Sequence, residues 1–170
     1  MPQTRAGVSV DKAAKSSQFF LGGKPDPDPE ALLQELHRTG FRVTRWAKEM
    51  MRSEKFRICG EPIEAELVEI TASHFGWHKG ATYGMLCTAG KRMALDLCPA
   101  RLGPLLRLRY VDQAPGEQLR IAMEPIPIAG RDLIFKLEKN GNSRWLNWEA
   151  GSRDTPVCSH HRFAFLIQSK

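Results

Sequence analysis

The sequence predicts an α+β fold: an N-terminal helical pair, one central helix and a mostly antiparallel C-terminal sheet. Three observations predict it. Apolar residues recur at helical spacing between residues 29 and 53 and again after residue 80. From about residue 105 the pattern changes to alternation with period two. Asn140-Gly141 then separates two alternating runs, the strongest short-range hairpin signal a sequence offers.

The elements follow in order. Residues 1–28 read as a flexible tail ending in the spacer "KPDPDPE", where alternating prolines favour extended backbone. Asp28 can cap a helix, Pro29 fits its first position, and Glu30 suits the positive end of its dipole. Leu32, Leu33 and Leu36 then share one side, and Gly40 supplies the stop. "FRVTRWAKEMMRS" reads as the second helix of a pair spanning 29–53. Val43, Trp46, Ala47 and Met50 form its apolar face, with Arg45, Lys48 and Arg52 opposite.

Residues 54–170 read as an α+β domain packed with that pair into one unit. "IEAELVEITAS" alternates as a strand. "GATYGMLCTAGKRMALDLCP" reads as a helix capped by Thr82 and closed by Pro99, although Gly84 and Gly90 each weaken it by about 1 kcal/mol relative to Ala. "LLRLRYV" and "EQLRIAMEPI" alternate around the turn "DQAPG", and "HRFAFLIQ" is a final strand. In that reading Leu106, Leu108 and Tyr110 face the core, while Arg107 and Arg109 face water.

Composition bounds the class. The 170 residues are 42% hydrophobic and 26% charged, with a formal charge of +6. No apolar run approaches the roughly 20 residues that span a bilayer, and the N-terminus lacks the apolar core of a secretory signal. A cytoplasmic protein without a membrane partner is expected. Cys59, Cys87, Cys98 and Cys158 form no CxxC pair, so reduced and mostly buried thiols are expected.

The segment "ASHFGW…GATY…LDLCPARLGPLLRLRYVDQAPGEQLRIAMEPI" resembles a family of small bacterial proteins to which no activity is attached. The likeness covers roughly residues 64–138, with a weaker echo in "VTRWAKEMM". Other members often carry an acid after Cys-Pro-Ala, where Arg101 stands here. The resemblance implies no cofactor and no catalytic residue.

The residues themselves offer three chemistries. His74 and His78 lie four apart, and Cys158, His160 and His161 cluster, as zinc ligands could. Gly76 breaks the first spacing and "CSHH" is not a zinc motif, so loop histidines are the preferred reading. Phosphate-binding glycine loops and a nucleophile elbow are both missing from the sequence. A nucleic-acid surface would use Arg45, Lys48 and Arg52 with Arg107 and Arg109, while Trp145 and Trp148 stack bases. The simpler account of those cations is a solvated face.

The function expected is a non-enzymatic binding or interaction module that needs no cofactor. Its partner would be a protein docked on helix 43–52 or on the Trp-containing hairpin, or else a nucleic acid. A small enzyme with a pocket between helices and sheet, zinc-dependent if the histidines converge, is the further alternative.

Overall fold

The computed structural model describes residues 16–21, 28–57 and 63–167. Five helices and eleven strands run through them in the order β1 (Ser16–Leu21), α1 (Pro29–Arg38), β2 (Arg42–Val43), α2 (Arg45–Arg52), α3 (Glu54–Arg57), β3 (Ile63–Ile70), β4 (Ala81–Thr82), α4 (Tyr83–Arg92), β5 (Leu95–Asp96), α5 (Leu102–Arg109), β6 (Gln118–Ile121), β7 (Ile126–Ile128), β8 (Arg131–Asn140), β9 (Ser143–Ala150), β10 (Pro156–Val157) and β11 (Arg162–Ile167). A 3-10 turn over Ala72–Phe75 follows β3.

The main sheet has the order β1-β3-β11-β6-β8-β9-β2, with β5 on β11 and β7 on β8. Its pairings are antiparallel except β11 with β6 and β9 with β2, which are parallel. The α+β class is therefore as the sequence predicts. The β8–β9 hairpin closes with Asn140 opposite Ser143, and Gly141 takes a φ of 56°. The two-residue loop is therefore Gly141-Asn142, one place along from Asn140-Gly141, with glycine first and at positive φ, as a type II′ hairpin turn requires.

Register assigns the two faces. Leu119, Leu137, Leu146, Phe135 and Trp148 share one, because paired residues project to the same side. Helices cover this face. Trp46 of α2 lies 5.8 Å from the Trp148 ring, and Phe56 of α3 meets Phe135 edge-on at 6.2 Å. Helix α5 approaches so closely at Gly103 that a Cβ there would lie 2.7 Å from Cδ2 of Phe135. Helix α1 packs against α2 and α5 through Leu32, Leu33 and Leu36, all buried.

The opposite face is divided. Phe163 and Phe165 lie under α4, with Tyr83 5.8 Å from Phe163 and no room for a Cβ on Gly90, which would meet Cε1 of Phe165 at 2.6 Å. Farther across, Arg120, Lys136, Glu138, Asn147 and Glu149 form a polar lattice. Arg120 holds Glu149 through both oxygens, and Asn147 donates to Glu138 at 2.6 Å.

Local signals hold where chemistry is local. Asp28 caps α1 by accepting from Ala31 N, and Thr82 caps α4 by accepting from Met85 N at 3.2 Å. Four expectations need correction. Residues 16–21 of the expected tail pair antiparallel with β3. The second helix begins only at Arg45, because Arg42 and Val43 pair with Trp145 and Leu146. The central helix stops at Arg92, well before Pro99, with Ala94 at a φ of 60° and β5 following.

The fourth correction is the largest. "LLRLRYV" is not a strand: Leu102–Arg109 is helical. Pro104 sits in its first turn, where a missing N–H costs nothing. In a helix, residues two apart diverge by about 200° rather than sharing a side. Arg107 consequently points into the core with no exposed surface, while Arg109 is exposed.

Candidate functional site

Arg107 is an interior cation held by neutral oxygens. Its Nη1 donates to Gln113 Oε1 at 2.7 Å and to the carbonyls of Glu138 and Trp145 at 3.4 and 3.3 Å, and its Nη2 donates to the Tyr110 carbonyl. Phe41 and Tyr110 rings flank the guanidinium at 5.4 and 6.0 Å. Burial, with the Arg144 charge adding to it, lowers its pKa to about 10. Gln113 is buried too, and donates to the carbonyls of Glu117 and Leu137, both at 3.0 Å. This constellation ties α5, the 110–117 loop and the β8–β9 hairpin together. It is not open to a ligand.

The expected basic track is broken in consequence. Arg52 pairs with Glu30 at 2.6 Å, while Arg45 is exposed and Lys48 half-buried. Arg120 lies across the sheet from α5 and is committed to Glu149. The tryptophans diverge as alternation requires: Trp148 packs on Trp46, and Trp145 lies under Arg42 at 5.4 Å. The proposed docking face of α2 is also consumed, since Ala47, Met50 and Met51 are fully buried.

The histidines do not converge. His74 Nδ1 accepts from Thr71 N at 2.8 Å, an assignment that fixes this nitrogen as the acceptor of the 3-10 turn's cap. His160 and His161 stack edge-on at 5.1 Å. Burial and the nearby Arg120 hold His161 below the usual imidazole range. Among the described residues no group of three or more His, Cys, Asp or Glu is placed to hold a metal ion.

Two clefts flank α4. The larger, of about 300 Å³, is floored by Gly84, Thr88 and Ala89 and walled by Trp77 and Met85, with Arg92, Arg153 and Asp154 at its edges. The smaller, of about 160 Å³, lies between the same helix and the 123–125 segment, and presents Cys87, Lys91, Glu124 and again Arg153. The 151–155 loop makes both. It crosses the start of α4 so closely that a Cβ on Gly84 would lie 3.0 Å from the Arg153 carbonyl. Tyr83 N and Gly84 N donate to the carbonyls of Thr155 and Arg153, each at 2.9 Å. The helix start is thus satisfied by the chain itself, and the charge in the clefts comes from side chains.

The thiol and phenol here are held protonated. Burial pushes Cys87 up, and burial with Cys87 nearby pushes Tyr83 well up. The Tyr83 hydroxyl donates to the Met123 carbonyl at 2.6 Å and accepts from Met123 N at 2.9 Å, a structural bond in both directions. Cys98 is fully buried, donates to the Ala164 carbonyl at 3.2 Å, and is raised by desolvation.

Sequence reasoning missed this site because its charged rim comes from residues 91–92, 124 and 153–154, with no local pattern joining them. The available signal was the pair of glycines inside α4. Both mark close approach, one of the 151–155 loop and one of Phe165. Comparison with family models finds none that matches the chain, and comparison with curated proteins and with solved structures finds no match for it either. No helix among the described residues is long and apolar enough to cross a membrane.

Proposed function

We propose that the protein is a non-enzymatic binding module of the bacterial cytoplasm, of the family that its 64–138 segment resembles, and that its ligand seats in the clefts along α4. One observation carries the reading. Concavity, an exposed apolar side chain and convergent cations coincide there: Met85 is 43% exposed, one of two large hydrophobics that stand out among the described residues, and Arg92 and Arg153 border the same hollow. The lining is mixed, with Trp77, Met85 and Ala89 apolar and Thr82, Thr88, Arg92, Arg153 and Asp154 polar, so it suits a ligand that has both an apolar and a charged part. The Cys87 thiol and the Tyr83 phenol suit packing rather than nucleophilic attack, since the thiolate is the reactive form and both groups are shifted away from ionisation.

The test is a titration of ¹⁵N-labelled protein with a chemically mixed small-molecule library. The expected result is saturable amide shifts centred on residues 82–92 and 151–155, with each ligand recovered unchanged. Turnover of a bound compound, or binding confined to other surfaces, overturns the proposal.

A further inference from the structure

We infer that the larger cleft takes a small organic anion, an apolar body of about one ring ending in a carboxylate or phosphate; this deepens the binding-module reading and rests on it. Size comes first. A hollow of about 300 Å³ lies at the lower limit of ligand pockets, so a single ring with a short polar group fills it. Shape agrees. Gly84, Thr88 and Ala89 keep the floor low, while Trp77 and Met85 offer apolar walls on which a ring can lie.

Charge selects the sign of the head group. Two guanidinium groups border the hollow against one carboxylate, Asp154. Arg153 stands at the level of Gly84, where its Cβ is 3.2 Å from the position of an added Cβ. Arg92 lies eight residues along the helix, a rise of about 12 Å. The cations therefore approach from opposite ends, and their flexible side chains can close on one anionic group or grip an anion at either end. Guanidinium is the side chain best matched to carboxylate and phosphate oxygens. The backbone N–H groups at the helix start are already bonded, so recognition depends on these two side chains. Both arginines are exposed, so the attraction is screened by salt and the affinity is modest.

The experiment follows cleft amide shifts with four probes of one size: phenylacetate, phenyl phosphate, benzyl alcohol and benzylamine. The two anions are expected to bind in the cleft, at least about tenfold tighter than benzylamine, because a charge-assisted hydrogen bond contributes about that factor. Their ratio decides between carboxylate and phosphate. Arg92→Ala and Arg153→Ala should each weaken anion binding roughly two- to fivefold, as exposed charges do, with unchanged circular dichroism. Lys55→Ala removes an exposed charge on the far side of the sheet and should leave it unaltered. Equal binding of benzyl alcohol or benzylamine overturns the anion assignment while leaving the cleft as a binding site. Failure of all four probes to shift cleft amides overturns the assignment as well, and the library titration then decides the binding-module reading independently. Anion binding unaffected by either arginine variant also overturns it.

Discussion

The guanidinium of Arg107 and the amide of Gln113 meet at 2.7 Å in the interior, and neither side chain has appreciable contact with water. The pair joins a helix to a loop, and each partner also reaches the backbone of β8. No carboxylate accepts from Arg107 among the described residues, so carbonyl dipoles carry its solvation.

Arg107→Ala should therefore destabilise the protein by about 3 kcal/mol or more, since it leaves buried acceptors unsatisfied and opens a cavity. The urea unfolding midpoint measures this. A variant as stable as the parent would show the interior cation to be dispensable. Arg109→Ala, at an exposed position, should cost far less in the same assay.

The Arg120–Glu149 pair predicts an asymmetry on the sheet's polar side. Arg120's side chain is 3% exposed and Glu149's 29%. Glu149→Ala removes the only carboxylate paired with a buried guanidinium among the described residues, leaving it the Gln118 amide oxygen at 3.0 Å, and should cost about 2 kcal/mol or more, whereas Lys136→Ala, whose contacts with Glu138 and Glu149 are longer at 3.4 and 3.8 Å, should cost under about 1 kcal/mol. Denaturant titration of both variants is the check, and equal losses would contradict the assignment.

Gly90→Ala should destabilise even though alanine is the better helix former. The propensity gain is about 1 kcal/mol, but the new methyl meets the Phe165 ring at 2.6 Å, and overpacking costs about 1–3 kcal/mol. A raised melting temperature would mean that Phe165 moves aside freely.

Alkali should weaken the fold through Cys98. Its folded pKa is raised above the ordinary value of 9.0. The folded state thus keeps its proton where the unfolded state loses it, so stability is full below pH 9.0 and falls as pH rises beyond it. Unfolding free energy measured from pH 7 to 10.5 should drop less steeply for Cys98→Ala than for the parent, whatever the variant's starting stability. Identical slopes would show that the thiol is not the group responsible.

What the sequence determined by itself is whatever a few neighbouring residues decide: the α1 start at Asp28-Pro29, the Thr82 cap, the Asn140-Gly141 hairpin and the final strand over "RFAFLI". Each rests on bonds within about four residues or on a side-chain period, and no distant partner is needed. The tertiary structure alone decided the rest. "LLRLRY" alternates like a strand, but Pro104 fits a helix's first turn and the interior supplies Arg107 with acceptors from Gln113, Glu138 and Trp145, up to 38 residues away. The clefts depend on a loop crossing α4 some 69 residues later in the chain, where the Arg153 backbone rests on Gly84. A lone arginine or glycine does not announce its partner in sequence, because burial and charge pairing are set by which segments the sheet register brings together.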